Sequence, residues 1–334
     1  MSAFSRELGV DLGTFNTQIA EGSQILVQEP TVVAIVVKEM KMVEYGTTAL
    51  GMMGRVPESI EVIRPLRNGV IAEYELTEIL LKELIRKVTG PTLFFKPKVL
   101  ISVPYGITSV ERRAVQEAGL GAGAREVNWI PQPLAAALGI DLPIHTPTGN
   151  MIICLGGGTT QAAVISMTGI VSAETSSVAG LKLDDAISTY VRKKYGLVIG
   201  QPTAEMLKMR IGSAIPVDDE KTMEIQGQDQ VTGLPKPASL TTNEVVDALQ
   251  SPLEEITGTI RRVLEKTPPE LISDIIDRGV AICGGTSLLK GLDKYLTVAL
   301  GIPAYVVDNP VTCTVEGTAK GFNLLDIILR NHPN

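Results

Sequence analysis

The feature that most constrains the fold is a pattern that occurs twice, at residues 8–18 (LGVDLGTFNTQ) and 151–161 (MIICLGGGTTQ). Each copy is an apolar run, a turn rich in Gly and Thr, and a second apolar run, which predicts two strands joined as a hairpin. Alignment of the copies matches Asp11 with Cys154. A repeated pattern is typical of a duplicated fold, although two unrelated glycine-rich hairpins would look alike. We therefore predict two halves, each opened by one hairpin.

The remainder of the chain alternates strand-like and helix-like patterns. Apolar β-branched runs predict strands, and apolar residues at helical spacing predict helices. The predicted strands include 31–37 and 99–104, the predicted helices include 76–87, 108–118, 183–195, 203–212 and 243–266, and the polar segment 215–237 is predicted to form strands with loops. Gly119 is predicted to close the helix 108–118, and we interpret the segment 119–123 as a turn because a dinucleotide fingerprint would follow a strand. Strands alternating with helices predict an α/β fold.

Composition limits the classes of protein to consider. The chain has 334 residues, of which 44% are apolar, so it can form about two globular domains. The formal net charge is −7 and no run of Lys or Arg occurs, which argues against a nucleic-acid partner. Three cysteines without CxxC spacing and two isolated histidines indicate no disulfide framework, zinc site or catalytic histidine. Residues 1–6 are too short for a signal peptide and no apolar run reaches the ~18 residues of a spanning helix, so we expect a cytoplasmic protein.

Both Gly/Thr turns are suited to bind phosphate groups. Glycine lets the backbone approach an anion closely because no Cβ intervenes, and N–H groups and hydroxyls then donate hydrogen bonds. Neither turn matches the Walker A pattern GxxxxGK[ST]. Asp11 ends the first strand, where its carboxylate could hold Mg²⁺ through water. Two such turns can bind one triphosphate from both sides.

Two further groups of residues each allow two interpretations. Glu205 and Lys208 lie three residues apart on a predicted helix, so they can contact a ribose together or form an exposed ion pair. Leu93, Phe94 and Phe95 form an apolar cluster in a loop bounded by glycine and proline. Exposed, such a cluster would meet a membrane or a partner, whereas in the interior it would only pack. The residues alone leave both pairs of alternatives open.

Several motifs together resemble a known family. The segments 11–14 (DLGT), 156–160 (GGGTT) and 284–289 (GGTSLL) are similar to the two phosphate motifs and the adenosine motif of the actin, heat-shock chaperone and sugar kinase ATPase superfamily. Within it, further segments resemble the MreB family of bacterial actin-like proteins, at 63–67 (IRPLR), 103–108 (VPYGIT), 110–114 (VERRA), 133–137 (PLAAA), 232–235 (TGLP) and 265–271 (EKTPPEL). The resemblance covers nearly the whole chain.

This resemblance implies an actin-like two-lobed fold in which duplicated inner domains flank a nucleotide cleft. The first lobe would be residues 1–142 and 321–334 with a small outer subdomain at about 32–75. The second lobe would be residues 143–320 with an outer subdomain at about 182–245. Monomers would stack head to tail into paired protofilaments, an open geometry that does not close into a ring.

The resemblance also implies a ligand, a location and partners. ATP and Mg²⁺ would bind, with Asp11 holding the metal through water, and the filament would lie on the inner face of the cell membrane with membrane proteins of cell-wall synthesis. MreB relatives often use an N-terminal amphipathic helix, for which residues 1–7 are too short, so Leu93, Phe94 and Phe95 become candidate anchors with Phe4. By resemblance the nucleotide pocket would be lined by Thr14, Phe15, Asn16, Gly157, Gly158, Thr159, Glu205, Met206, Leu207, Lys208, Gly284, Gly285, Thr286 and Ser287.

Four positions depart from the family pattern. Cys154 replaces the Asp that usually opens the second phosphate motif, and Gln132 replaces the usual Glu before the PLAAA segment. Leu181 replaces an Asp, and Thr286 replaces a Gly of the adenosine motif. Gln132 can orient water, as the corresponding Gln does in eukaryotic actin, but it cannot accept a proton as a base. We therefore expect nucleotide binding with slow hydrolysis, unless a carboxylate such as Asp184 or Glu174 replaces the missing metal ligand.

The alternative function is a monomeric ATPase of the same superfamily. A chaperone needs a peptide-binding domain after the ATPase, but only about 45 residues follow the adenosine motif. A sugar kinase needs a carboxylate base near the γ-phosphate, and the two best-placed positions are Gln132 and Cys154. The sequence therefore favours the filament-forming protein over either alternative.

Overall fold

The computed structural model describes residues 6–90 and 96–331. The first half contains the strands β1 (Glu7–Leu12), β2 (Asn16–Glu21), β3 (Gln24–Pro30), β4 (Val33–Val36), β5 (Lys41–Tyr45), β6 (Ile60–Ile63), β7 (Leu66–Arg67), β8 (Val70–Ile71), β9 (Lys98–Val103) and β10 (Glu126–Pro131), and the helices α1 (Gly46–Met52), α2 (Tyr74–Thr89), α3 (Ser109–Gly121) and α4 (Gln132–Gly139). The candidate anchors Leu93, Phe94 and Phe95 lie outside the described residues.

The second half repeats the alternation of strands and helices. Its strands are β11 (Asn150–Leu155), β12 (Thr160–Ser166), β13 (Gly169–Ser176), β14 (Leu197–Val198), β15 (Thr222–Asp229), β16 (Pro235–Thr241), β17 (Val280–Cys283) and β18 (Ala304–Val306). Its helices are α5 (Gly180–Tyr195), α6 (Gln201–Ile211), α7 (Thr242–Glu265), α8 (Pro269–Arg278), α9 (Leu292–Leu300), α10 (Cys313–Lys320) and α11 (Leu325–Asn331), with short 3-10 turns at Gly285–Leu288 and Gly321–Leu324. The predicted α/β class is confirmed.

Two five-stranded sheets have the same topology. The strand order is β3-β2-β1-β9-β10 in one and β13-β12-β11-β17-β18 in the other. In both, the first three strands form an antiparallel meander and the remaining strands run parallel to the first. The registers also agree, because Asp11 lies opposite Gln18 as Cys154 lies opposite Gln161. The predicted duplication is therefore confirmed, including the predicted equivalence of Asp11 and Cys154.

Local sequence explains where the helices begin and end. Thr108 caps α3 with a capping box, since its hydroxyl accepts from the amide of Glu111 and the Glu111 carboxylate accepts from the amide of Thr108. The prediction that Gly119 closes this helix was wrong, because α3 continues to Gly121. A Cβ on Gly119 would lie 2.9 Å from Val127 Cγ2, so this glycine allows the helix to pack closely on β10.

Each half also has a small outer sheet. The sheet β5-β4-β6 lies within residues 32–75, and the sheet β14-β15-β16 lies within residues 182–245. These are the segments for which outer subdomains were predicted, and the lobe boundaries at 142 and 320 remain a prediction. In the described part of the chain, no helix is long and apolar enough to cross a membrane.

Helices α4 and α10 cross between the two large sheets at very close range. A Cβ on Gly317 of α10 would overlap the carbonyl oxygen of Ala135 in α4, and one on Gly139 would overlap the carbonyl oxygen of Cys313. On its other side α10 meets β1, where a Cβ on Gly9 would overlap the backbone of Ala319. The two halves thus meet through backbone contacts that only glycine permits.

This contact predicts a large difference between two glycine substitutions. Gly317→Ala should destabilise the protein by about 1–3 kcal/mol or more, because the backbone of α4 cannot move away as a flexible side chain would. Gly51→Ala, on helix α1 with open space around its Cβ position, should instead be neutral or stabilising by about 0.5–1 kcal/mol. Urea unfolding of both variants measures the difference, and a wild-type midpoint for Gly317→Ala would contradict the crossing.

Candidate functional site

The two Gly/Thr turns lie against each other where β1 and β11 end. Each turn is closed by one bond, from the amide of Gly13 to the carbonyl of Asn16 and from the amide of Gly156 to the carbonyl of Thr159, at 3.1 and 2.9 Å. The tips of both turns lie outside the strand pairing. Their backbone amides are therefore positioned to donate to an anion.

The glycines of the second turn allow this close approach. A Cβ on Gly157 would lie 2.5 Å from Phe15 Cβ, and a Cβ on Gly158 would overlap the hydroxyl of Thr14. A side chain at either position would push the turns apart. Glycine is therefore needed at both positions for contact between the halves.

A loop of the first outer region covers the turns. The amide of Gly69 donates to Thr14 Oγ1 at 2.8 Å. Gly69 has a φ of +78°, and a Cβ there would lie 2.5 Å from Pro104 and 3.3 Å from Thr159. The β7–β8 turn is thus held between the two halves, and glycine is needed there for both its conformation and its packing.

The second turn is fixed from behind by three hydrogen bonds. The carbonyl of Gly156 accepts from the amide of Gly180 at 3.1 Å and from Thr286 Oγ1 at 2.8 Å. The carbonyl of Gly157 accepts from the amide of Leu181 at 2.8 Å. Two departures from the family pattern, Thr286 and Leu181, thus lie at this turn, and Thr286 provides a hydroxyl that ties the third motif to it.

The third motif lies beside the second turn because of one close contact. Gly284 has a φ of +88°, and a Cβ there would overlap the carbonyl of Leu155 at the end of β11. The hydroxyl of Ser287 donates to the carbonyl of Gly284 at 2.7 Å and closes the 3-10 turn. Gly284, Thr286 and Ser287 therefore lie at the same end of the sheet as the second turn, and their contact with a nucleotide stays a prediction.

A chain of polar side chains joins the two large sheets beneath the turns. Asp11 Oδ1 accepts from Ser102 Oγ at 2.5 Å and from Gln132 Nε2 at 3.1 Å. Gln132 Oε1 in turn accepts from Gln161 Nε2, and Gln161 Oε1 accepts from the amide of Tyr105 at 2.8 Å. Burial raises the pKa of Asp11, although both hydrogen bonds favour its ionised form. Both amide atoms of Gln132 are thus already engaged.

All three cysteines gather behind Asp11. Cys154 and Cys283 lie opposite each other on β11 and β17, and the Sγ of Cys283 donates to that of Cys154 at 3.4 Å. This bond and burial raise the pKa of Cys283 well above its usual value, and the hydrogen bond with Cys313 opposes the shift. Cys154, at the position where the resemblance implies an Asp, is thus paired with a second thiol, and sulfur is a poor ligand for a hard cation.

The corresponding polar position in the first half has no such partners. Gln18 is the counterpart of Gln161, since they lie opposite Asp11 and Cys154 respectively. The side chain of Gln18 is 1% exposed, and neither of its amide atoms has a hydrogen-bond partner among the described residues. The two halves therefore share a backbone but not a polar network.

Glu205 and Lys208 both lie in a partly buried polar cluster on α5 and α6. Lys208 Nζ pairs with Asp184 Oδ1 at 2.6 Å and donates to the carbonyl of Gly180 at 2.9 Å. Burial, reinforced by the negative charge of Asp184, raises the pKa of Glu205, and Lys208 opposes this shift. Because Lys208 forms its salt bridge with Asp184, the geometry does not favour the alternative of an exposed ion pair between Glu205 and Lys208.

The other two predicted residues of this helix differ in their surroundings. Met206 is half-buried, whereas the side chain of Leu207 is fully buried in the hydrophobic core of the second half. Leu207 can therefore face a ligand only with its backbone.

The two carboxylates that were expected to replace the missing metal ligand, Asp184 and Glu174, are both already in ion pairs. Asp184 is paired with Lys208, and Glu174 is paired with Arg262 and Lys266 at 2.6 and 3.3 Å. Neither is in a position to replace an Asp at 154 without breaking an ion pair. Within residues 6–90 and 96–331, no cluster of three or more His, Cys, Asp or Glu side chains has the arrangement of a metal site. Asp11 alone fits a hydrated cation, which needs few protein ligands.

Known proteins share this architecture. The family model described as MreB/Mbl protein matches residues 5–329. The chain is 43% identical over 330 residues to the cell shape-determining protein MreB of Escherichia coli strain K12, which covers 97% of this chain and 95% of that protein.

Solved structures agree with this result. MreB5 of Spiroplasma citri bound to AMPPNP is similar with a TM-score of 0.92 at 34% identity, over 98% of this chain and 99% of that one, and its ADP complex gives the same values. The MamK double helical filament has a TM-score of 0.80 at 19% identity, over 95% of this chain and 98% of that one. The fold is therefore actin-like, and the chain belongs to the MreB/Mbl family.

Proposed function

We propose that this protein binds ATP with Mg²⁺ and assembles head to tail into filaments, which organise cell shape and cell-wall synthesis at the inner face of the membrane. The observation that carries the proposal is the contact between two glycine-rich turns, one from each half, whose tips lie outside the strand pairing. Such an arrangement binds a polyphosphate from both sides.

The residues present fit a nucleotide. The tips of the turns, Thr14 to Asn16 and Gly157 to Thr159, supply amides and hydroxyls for the phosphates. Glu205 and Lys208 lie on one helix face beside the second turn, where they suit a ribose. The segment from Gly284 to Ser287 would contact the adenosine, and Asp11 would hold Mg²⁺ through water. MreB5 of Spiroplasma citri, in the same family, has been solved with AMPPNP and with ADP.

Family membership supports filament formation. A relative of the same fold, MamK, has been solved as a double helical filament. The alternative is a monomeric ATPase of the same superfamily, acting as a chaperone or a small-molecule kinase. A kinase needs a carboxylate base, whereas Gln132 and Cys154 are neutral and already hydrogen-bonded to other side chains. Filament assembly therefore remains the better-supported function.

Sedimentation with ATP and Mg²⁺, followed by electron microscopy, tests the filament proposal. We expect the protein to pellet above a critical concentration and to form filaments, because head-to-tail contacts do not close into a ring. A matched sample without nucleotide is the control. A protein that stays monomeric at high concentration with bound ATP would contradict the filament proposal and favour the monomeric ATPase.

Liposomes added to the same assay test the membrane proposal. Burial of one large apolar side chain contributes about 1.5–3 kcal/mol, so a filament with many copies should bind membranes far more strongly than a monomer. The variant Phe94→Ser/Phe95→Ser should form filaments but lose co-sedimentation with the liposomes. Equal binding of wild type and variant would exclude the loop at residues 93–95 as the anchor.

Slow hydrolysis is the second part of the proposal. Hydrolysis requires a water held in line with the γ-phosphate and charge neutralisation by the metal. Gln132 already bonds to Asp11 and Gln161, which leaves one N–H and one lone pair of its amide to orient that water. Cys154 offers a neutral sulfur in place of a carboxylate, and its Sγ accepts a hydrogen bond from Cys283. Loss of one positioned group commonly costs about 10²–10⁴-fold in rate.

Substitution toward the family residues should therefore raise the rate of phosphate release. We expect Gln132→Glu to accelerate release during polymerisation by about tenfold or more, and Cys154→Asp combined with it to accelerate release further. Cys154→Asn is the control, because it has the size of Asp but no charge for a cation. A wild-type rate typical of the family, or no gain in the double variant, would show that these two positions do not limit hydrolysis.

A further inference from the structure

Arg64, between β6 and β7, occupies an unusual environment at the first turn. Its guanidinium carbon lies 4.4 Å from the centre of the Phe15 ring, and its Nη1 donates to the Phe15 carbonyl at 3.3 Å. Its Nη2 is buried and has no hydrogen-bond partner among the described residues. A guanidinium carries five donors and is costly to bury with few acceptors. Arg64 therefore has an unused donor and a charge beside the cleft.

Opposite charges lie in the second half. The Phe15 ring on which Arg64 stacks contacts Gly157, whose carbonyl accepts from the amide of Leu181 at the start of α5, so Arg64 lies near the acids of α5 and α6. Burial lowers the pKa of Arg64, and the negative charges of Glu205 on α6 and Asp184 on α5 oppose this shift. In that cluster two acids face a single local cation, Lys208, whose ion pair is with Asp184. Within residues 6–90 and 96–331, Glu205 has no such ion pair, and the hydrogen bond that it receives from Gln201 Nε2 is long, at 3.5 Å. With Arg64 included, the cluster has two negative and two positive charges.

We propose that Arg64 is a positioning residue that attracts Glu205 across the cleft, holds the two halves together over a bound nucleotide and slows its release. This inference rests on the proposed nucleotide function. Stacking on Phe15 fixes the guanidinium at the first phosphate-type turn, so the attraction to Glu205 connects that turn with the helix expected to contact the ribose. The coupling between Arg64 and Glu205 is reciprocal, so a nucleotide that orders the first turn also favours the ordered position of the helix that carries Glu205.

The charge of Arg64 should also affect how nucleotide binding depends on pH. The groups that face Glu205 are Asp184 from α5, Lys208 and Gln201 from its own helix, and Arg64 from the first half. Burial and Asp184 raise the pKa of Glu205, while Lys208 and Arg64 lower it. Without the charge of Arg64 the pKa of Glu205 rises further. If nucleotide binding depends on ionised Glu205, a variant without the charge of Arg64 should lose affinity at a higher pH than wild type when the solution is acidified.

The experiment is a double-variant cycle with a fluorescent ATP analogue. Release of the analogue is measured by stopped flow for wild type, Arg64→Gln, Glu205→Gln and the double variant, across pH 4.5–8 where the protein stays folded. We expect Arg64→Gln to release the analogue at least about fivefold faster and to shift the acid midpoint upward by about 0.5 pH unit. In the Glu205→Gln background, removing Arg64 should have little further effect.

Two further variants make the result specific. Arg64→Lys keeps the charge but not the planar fork, so it should retain the wild-type midpoint. Arg67→Gln removes an exposed charge three residues away and should behave as wild type. The inference would be overturned if Arg64→Gln accelerated release as much in the Glu205→Gln background as in wild type. It would also be overturned if Arg64→Gln left the acid midpoint of binding unchanged. Neither result would count against nucleotide binding itself. Failure of the wild type to bind the analogue would instead overturn the proposed function.

Discussion

The hydrogen-bond chain from Ser102 through Asp11, Gln132 and Gln161 to the amide of Tyr105 is the interaction on which the cleft depends. It starts on β9 of one large sheet, crosses to Gln161 on β12 of the other and returns to the loop after β9, so it fixes how the two turns face each other. Buried polar groups are costly unless each finds a partner, and a chain of this kind is stable only when all members are in place. The geometry at the turns therefore depends on side chains from both halves.

Duplication produced two backbones of one topology with two different sets of polar contacts. In the second half, both the Oε1 and the Nε2 of Gln161 form hydrogen bonds. Its counterpart in the first half, Gln18, is buried, and neither amide atom has a hydrogen-bond partner among the described residues. The position of Asp11 likewise differs between the halves, because its counterpart Cys154 is paired with the thiol of Cys283. This asymmetry is the physical basis for expecting binding and assembly with slow hydrolysis.

Sequence patterns predicted what depends on neighbours along the chain. The two turns, their alignment through Asp11 and Cys154, and the α/β class follow from local glycine spacing and apolar periodicity. Contacts between distant segments could not be predicted in this way. The roles of Gln161, Thr286 and Arg64 depend on partners in other elements. For Gln161 the sequence contained one signal, because a Gln follows a Thr at the same place in both hairpins. The end of α3 was misplaced for the same reason, since Gly119 serves packing against β10 and not the helix terminus.

A crystal structure of the protein with a nonhydrolysable ATP analogue and Mg²⁺ would show directly whether the two turns bind the nucleotide together. We expect the phosphates between the turn of Thr14 and Phe15 and the turn of Gly157 and Gly158, with the ribose beside Glu205 and with Gln132 still bonded to Asp11. We also expect a metal whose remaining ligands are water, with Asp11 as the nearest carboxylate. A nucleotide bound elsewhere, or phosphates that contact only one of the two turns, would contradict binding by both halves.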